Sequence, residues 1–311
     1  MRSAVEGILT GVFILFSLLF LLSNCTTYEE EEKKLPDTHK RGTIHISADE
    51  SFKPVIDAEV EVYEANHPGT HIIVHYKPEA DCLQDFIVDS IRMVIATRGF
   101  TESEERFIVD SFKTGPVKLT IARDAIAVIV NPGSPDSLFT MQEVKDILMG
   151  RFTKKLIPVF DGVKATSTVR FIVDSVLQND SLAPNTVAAR TSEGVIDYVA
   201  KNPDAIGFIG VSWIGNKEDT SQLSFLKKVR MAWLESKDKP GSYVLPWQAN
   251  IYYRRYPLIR DLFYILKEKN TGLGKGFANF LSGEQGQLIF KRAYLWPAQM
   301  NFNVRLTKLN E

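Results

Sequence analysis

A short stretch near the start of the chain carries polar residues that could hold a small anion. Residues 43–54 read TIHISADESFKP, a strand pattern that runs through a polar turn into a helix. The first N–H groups of a helix lack intrahelical partners and lie at the positive end of its dipole, so small anions bind there. Ser51 could donate its hydroxyl to such a ligand, or it could simply cap the helix, as similar residues do in most strand-to-helix turns. Both interpretations remain open from this stretch alone.

The sequence contains no recognisable catalytic constellation. It has no Gly-x-Ser-x-Gly elbow, and the glycine-rich run at residues 272–276 lacks the spacing and the Ser or Thr of a phosphate-binding loop. His71 and His75 lie four residues apart in a strand pattern, where they would be about 13 Å apart and could not share a metal ion. We therefore expect no enzyme activity, no metal site and no cofactor.

Length and charge limit the class of protein. The 311 residues suffice for one large domain or two lobes, each with its own core. A net charge of −1 with 24% charged residues argues against nucleic-acid binding, which needs a basic face.

The N-terminus has the features of a targeting signal. Arg2 precedes an apolar run at residues 8–22, which is shorter than the roughly 20 residues of a membrane-spanning helix. The next residues, 22–25 (LSNC), resemble the lipobox of bacterial lipoproteins, in which the signal is cut before a cysteine that is then acylated. This predicts a signal peptide over residues 1–24 and a lipid on Cys25. The alternative is an uncleaved anchor with an incidental cysteine.

An acidic segment follows Cys25 and predicts a tether. Its TTYEEEEKKLP composition cannot build a core, so we expect residues 25–41 to be disordered. A lipid on Cys25 would leave Cys82 without a disulfide partner. The predicted location is the cell envelope, with the protein anchored by lipid to a bacterial membrane on its periplasmic or outer face.

From Gly42 onward strand and helix patterns alternate, which predicts an α/β protein with parallel strands. Two capping boxes, each a Thr followed three residues later by Glu, open helices at Thr101 and Thr140. Ser192 is expected to cap another helix. The apolar run at residues 258–266 fits either a helix or a buried strand.

Several stretches, in order along the chain, resemble the PstS-like phosphate-binding proteins of ABC importers. The match covers residues 42–297. Ser51 falls on the family's Gly-Ser-x-Ser turn, and Thr97-Arg98 is similar to its Ser-Arg pair. Residues 124–131 resemble the strand that crosses between the lobes, and residues 202–208 (NPDAIGF) resemble the family's Asn-Pro-Gly-x-Ile-Gly-Tyr.

This resemblance implies an α/β, two-lobed periplasmic-binding-protein type II fold with a ligand cleft between the lobes. Lobe 1 would comprise residues 42–122 and 245–311, and lobe 2 residues 123–244. A ligand that contacts both lobes would close the hinge. The expected ligand contacts are Ser51, the N–H of Phe52, Thr97, Arg98, Thr166, Ser167 and Thr168.

Departures from the family pattern concern charge. Arg92 stands where the family has an Asp, and Asp161 stands where it has an Arg. We therefore expect Arg92 and Asp161 to meet across the cleft, with Arg92 also facing the ligand, unless Arg92 simply points outward. Glu79 and Asp81 occupy a turn that gives backbone amides to the anion in the family, and here they would repel one.

Two functions follow from these observations. The first is a monomeric, lipid-anchored receptor that captures phosphate or a related oxyanion for an ABC permease. The second is a surface interaction or scaffold lipoprotein whose cleft no longer binds phosphate. Affinity for a small anion separates the two.

Overall fold

The computed structural model describes residues 36–113, 115–162, 166–216, 220–268 and 271–300. The predicted signal peptide, Cys25 and most of the predicted tether lie outside these residues. Within them, no helix has both the length and the apolar character needed to cross a membrane.

Strands and helices alternate through the described chain. The strands are β1 (Arg41–Asp49), β2 (Gly69–Lys77), β3 (Ile91–Ala96), β4 (Val117–Val130), β5 (Leu138–Phe139), β6 (Ile157–Phe160), β7 (Val187–Ala188), β8 (Ala205–Gly210), β9 (Arg230–Met231), β10 (Trp233–Glu235), β11 (Tyr243–Val244), β12 (Ile259–Leu266) and β13 (Trp296–Pro297). The α-helices are α1 (Lys53–Asn66), α2 (Glu79–Asp85), α3 (Glu102–Phe112), α4 (Met141–Leu148), α5 (Ser167–Phe171), α6 (Ser192–Lys201), α7 (Thr220–Lys228), α8 (Gln248–Tyr252), α9 (Leu273–Ser282) and α10 (Glu284–Arg292). Short 3-10 turns span Glu50–Phe52 and Val211–Trp213, and a π-helical turn at Ile172–Val176 extends α5.

The main sheet has the strand order β2-β1-β3-β12-β4-β8-β6-β7. Strands β1, β2 and β3 are parallel, as are β6, β7 and β8, which agrees with the predicted alternation. Between these two groups, β12 and β4 run antiparallel to their neighbours, so the whole sheet is mixed. The ambiguous run at residues 258–266 is therefore a buried strand, because it fills the middle of the sheet.

Strand β4 joins two lobes. Its residues 117–125 pair with β12, and its residues 126–130 pair with β8. We call the part built on β1–β3 and β12 lobe 1, and the part built on β6–β8 lobe 2. A single strand shared by both lobes is the crossing strand that the resemblance predicts.

The helices begin largely where the sequence predicts. The hydroxyls of Thr101 and Thr140 each accept the N–H of the Glu three residues later. The carboxylate of each Glu accepts the N–H of its cap residue, so both capping boxes are confirmed. The predicted cap at Ser192 is wrong, because Thr191 caps α6 and leaves the Ser192 side chain free to face lobe 1.

Residues before Gly42 already pack against lobe 1. Asp37 is buried, accepts the N–H of Leu273 at 2.8 Å and pairs with Arg92. Arg41 opens β1. The predicted tether is therefore too long at its end, since residues 36–41 pack against lobe 1.

Candidate ligand cleft

The polar residues of interest lie at the carboxyl ends of parallel strands. In lobe 1, β1 ends at Asp49 and leads into the turn Glu50–Phe52, and β3 ends next to Thr97. In lobe 2, β6 leads directly into Asp161. Ligands of open α/β sheets bind beyond the carboxyl ends of the strands, so this edge is where a site is expected.

Ser51 lies at the centre of the contacts between the lobes. Its hydroxyl donates to Oδ2 of Asp161 at 3.3 Å and lies 3.4 Å from the hydroxyl of Ser167. Its carbonyl oxygen accepts Nε1–H of Trp213 at 2.9 Å. The structure thus brings together the predicted residues Ser51, Asp161 and Ser167 from opposite lobes.

The Ser51 N–H is already occupied. Oδ1 of Asp49 accepts this N–H at 3.0 Å and caps the turn that follows β1. This N–H is therefore satisfied by a carboxylate of the chain itself and is not open to an anion. The hydroxyl of Thr166 is similarly engaged, because it accepts the N–H of Val169 as the cap of α5.

Arg260 on β12 supplies a cation that sequence reasoning missed. Its Nε donates to Oδ2 of Asp124 at 2.8 Å, and its Nη1 donates to Ser167 at 2.7 Å and to Thr168 at 3.4 Å. The guanidinium carbon lies 5.0 Å from the ring centroid of Phe52. Arg260 is only 4% exposed. The available signal was a charged residue within the apolar run at residues 258–266, because a buried charge requires a partner.

Gly210 at the end of β8 allows these groups to approach. A Cβ atom there would lie 3.2 Å from the carbonyl oxygen of Ser51 and 3.5 Å from Nη2 of Arg260. A side chain at this position would therefore press on the centre of the cleft.

A second bridge between the lobes involves Glu79, which is fully buried. Its Oε1 accepts the N–H and the hydroxyl of Thr97, both at 2.7 Å, and its Oε2 accepts Nε–H of Arg170 at 2.6 Å. Nη2 of Arg170 also donates to Thr97 at 2.9 Å. Glu79, which the sequence marked as repelling an anion, thus ties lobe 1 to a guanidinium of lobe 2.

A third bridge joins Glu50 to the start of α6. Its carboxylate accepts the N–H of Ser192 at 3.3 Å and the Ser192 hydroxyl at 3.2 Å. Burial, together with the charge of Asp161, raises the pKa of Glu50 to about 7.

Burial also shifts the pKa of three further carboxyl groups of the cleft, those of Asp49, Asp124 and Asp161. It raises the pKa of Asp49 to about 7, with a further contribution from the charge of Glu79. The pKa values of Asp124 and Asp161 are raised by burial in spite of the nearby charge of Arg260. Burial alone would lower the pKa of Arg260, but Asp124 and Asp49 outweigh it and raise that pKa. The arginine therefore stays charged, while burial disfavours the ionised forms of Asp49, Glu50, Asp124 and Asp161.

The predicted contact between Arg92 and Asp161 is wrong. Arg92 is the second residue of β3, at the opposite end from the cleft, where it pairs with Asp37 at 2.8 Å and Glu268 at 2.7 Å. Asp161 lies at the cleft, and a residue at the far end of β3 cannot reach it. It is Arg260, not Arg92, that lies in the cleft.

Arg98 also contacts groups other than the Ser51 cluster. Its guanidinium pairs with Glu104 at 3.0 Å at the start of α3, within lobe 1. Hydrogen bonding to Arg98 lowers the pKa of Glu104 to about 2. Arg98 and Glu104 correspond to the Ser-Arg pair and the downstream acidic positions of the PstS-like pattern. In the structure their ion pair stabilises the start of α3.

The fold and the cleft together define a class of protein. Two α/β lobes share a crossing strand, and polar groups of both lobes face each other beyond the carboxyl ends of the strands. This is the two-lobed fold of periplasmic solute-binding proteins, and the predicted fold class is confirmed.

The chain belongs to the PBP superfamily, because the family model for the PBP superfamily domain matches residues 35–284. It is similar to the phosphate-binding protein PstS of Pseudomonas aeruginosa, with 23% identity over 279 residues that cover 82% of this chain and 83% of the relative. The predicted resemblance to PstS-like proteins is thus confirmed.

Two solved structures share the fold. One is a substrate-binding protein from Clostridium perfringens assigned to a phosphate ABC transporter, with phosphate bound (TM-score 0.67, 20% identity, 83% of this chain and 100% of that one). The other is an ABC-type phosphate transport receptor from Vibrio cholerae (TM-score 0.60, 19% identity, 81% and 99%).

Proposed function

We propose that the protein is a receptor that binds phosphate or a related oxyanion in the cleft and delivers it to an ABC permease, without catalysing a reaction. The observation that carries this proposal is that the Ser51 hydroxyl of lobe 1 lies 3.4 Å from the Ser167 hydroxyl of lobe 2, which in turn accepts Nη1–H of the buried Arg260. Hydroxyl and guanidinium groups are the donors that suit an oxyanion.

The binding mechanism follows from the sources of these donors. Ser51 belongs to lobe 1, Ser167 to lobe 2, and Arg260 to the strand beside the crossing strand. An anion held by all three contacts both lobes only when they are together, so binding would favour the closed form. The similarity to phosphate receptors supports this view.

The remaining elements of the proposal concern location. We propose that residues 1–24 are a signal peptide and that Cys25 carries a lipid that holds the protein at a bacterial membrane, on its periplasmic or outer face. We also propose that the receptor works as a monomer, since a single chain supplies both lobes of the cleft.

One observation favours the second candidate, a scaffold or interaction lipoprotein that no longer binds phosphate. Groups of the chain itself already join the lobes, through Glu79 with Arg170 and through Glu50 with Ser192. Such internal bridges could hold the cleft shut without a ligand.

Isothermal titration calorimetry of the full chain in a non-ionic detergent, with phosphate and separately with sulfate, distinguishes these functions. The receptor function predicts saturable binding of phosphate. Arg260→Lys should weaken it at least tenfold, about 1.4 kcal/mol, because a lysine keeps the charge but loses the guanidinium fork.

The matched control is Arg92→Lys, which changes an ion pair at the far end of β3 and should leave the affinity unchanged. If neither anion gives heat or raises the Tm, the scaffold function is the better account. If Arg92→Lys weakens binding more than Arg260→Lys, the assigned position of the anion is wrong.

A further inference from the structure

The cleft carries more negative than positive groups. Among the residues that the structure describes, five carboxyl groups and two guanidinium groups lie where the lobes meet: those of Asp49, Glu50, Glu79, Asp124 and Asp161, and those of Arg170 and Arg260. Adding an oxyanion to five ionised carboxylates would place further negative charge in a buried region, which is strongly unfavourable.

Four polar atoms in this region make no hydrogen bond to any described residue: Oδ2 of Asp49, Oδ1 of Asp124, Oδ1 of Asp161 and Nη2 of Arg260. The four residues are 1%, 0%, 7% and 4% exposed. The other oxygens of Asp49 and Asp161 accept from Ser51, and Arg260 donates to Ser167 and Asp124, so the unpartnered atoms belong to one cluster. Buried polar atoms are rarely left unpaired, so this cluster is the part of the cleft that a polar ligand would complete.

The chemical character of the carboxyl oxygens among these atoms depends on protonation. An ionised carboxylate only accepts hydrogen bonds and would repel an oxyanion, whereas a neutral carboxyl group has an O–H that donates. With Asp49 and Asp161 neutral, the unpartnered atoms would present two O–H donors beside the N–H donor of Arg260. The same atoms thus change from a lining that rejects an anion to one that binds it.

We propose that the cleft takes up its oxyanion together with protons, so that Asp49 and Asp161 enter the complex as neutral acids that donate hydrogen bonds to the anion. This inference rests on the proposed function. It specifies that the ligand is an oxyanion whose charge is neutralised by protons taken up with it. Asp49 keeps the Ser51 N–H on its other oxygen, and Asp161 keeps the Ser51 hydroxyl.

The groups around the two acids agree with this role. Asp49 faces Glu79 from α2 and Arg260 from β12, and its charge also acts on the thiol of Cys82. Asp161 faces Arg260 and Glu50, and Glu50 in turn faces Lys53 from α1. Burial raises the pKa of both acids, and an added anion would raise it further, because like charge disfavours ionisation.

The direction of the pH dependence follows from these positions. When the pH lies above the pKa of Asp49, which is about 7, protons must be taken up as the anion binds, so affinity falls with rising pH. Below that pKa the acid is already protonated, and the affinity should level off. Phosphate titrates in the same range, so its own protons must be separated from those of the protein.

The test is calorimetry of the full chain in detergent with inorganic phosphate at about pH 6 and about pH 8, in buffers that differ in ionisation enthalpy. The buffer dependence of the heat gives the number of protons taken up. The variant Asp49→Asn/Asp161→Asn keeps the acceptor oxygens for Ser51 and supplies amide donors, but it cannot ionise. It should bind phosphate with fewer protons taken up at the higher pH than the wild type, by about one to two, since the variant removes two acids.

The control variant is Asp197→Asn, which alters an exposed ion pair with Lys228 and should leave the proton count unchanged. Infrared difference spectra of the wild-type chain provide an answer without a variant, since phosphate should strengthen the C=O band of protonated carboxyl groups at the higher pH. Equal proton counts in wild type and double variant, or no such band, would overturn the inference while the oxyanion function stands. No binding of phosphate at either pH would overturn the inference, and the oxyanion function would fall with it if sulfate also does not bind.

Discussion

Glu50 gives the cleft a pH-dependent stability at the level of a single residue. Its pKa rises from an ordinary 4.5 to about 7 in the folded protein, chiefly through burial. Between these values the folded state binds more protons than the unfolded state, so the free energy of unfolding falls as the pH rises. We expect Glu50→Gln, which still accepts from Ser192, to flatten the fall of Tm between about pH 5 and about pH 8.

Glu104→Gln is the matched control for this prediction. The pKa of Glu104 is lowered to about 2, so its stabilising effect is constant above its ordinary pKa, and its loss should shift Tm without changing the slope. An unchanged slope in Glu50→Gln, measured by thermal denaturation, would show that Glu50 is not the titrating group.

For single residues, sequence and structure agree on the positions of the serine hydroxyl donors and disagree on the positions of the arginines. Ser51 lies just before α1 and Ser167 is the first residue of α5, and helix starts are a local pattern that a sequence shows directly. Arg260 has no such pattern, because its role depends on β12 lying beside β4, which places it against Asp124. The position of Arg92 was predicted wrongly for the same reason. The distance between Arg92 and the cleft end of β3 is visible only once the direction of the strand is known.

At the scale of elements, the bridge between α5 and lobe 1 determines how tightly the lobes are held. Arg170 contacts Glu79 and Thr97 across the cleft, whereas Arg98 contacts Glu104 within lobe 1. Arg170→Met should therefore raise the radius of gyration measured by small-angle X-ray scattering without ligand and lower the Tm. Arg98→Met, with a similar loss of charge, should leave the radius of gyration unchanged. Equal radii in the two variants would show that the bridge does not hold the lobes.

Element positions were largely predictable where the signal was local. Both capping boxes and the strands β1 to β3 follow from short patterns. The nature of residues 258–266 did not follow, since a short apolar run fits a strand and a helix equally well. The mixed order of the sheet was also hidden, because the pairing of β12 with β3 and β4 joins segments far apart in sequence.

At the scale of the whole molecule, the two-lobed fold came from the order of several weak motifs, and the family match over residues 35–284 confirms it. The charge of the cleft did not follow from the fold. Carboxyl groups of both lobes surround Ser51 and Arg260, and their protonation decides whether the closed cleft accepts an anion.

The most direct test of the central claim is a crystal structure of the full chain grown with arsenate, an analogue of phosphate that anomalous scattering locates unambiguously. An arsenic peak should lie between the lobes, with arsenate oxygens within hydrogen-bond distance of the Ser51 and Ser167 hydroxyls and of Nη2 of Arg260. A closed cleft with arsenate only on the outer surface would contradict that claim.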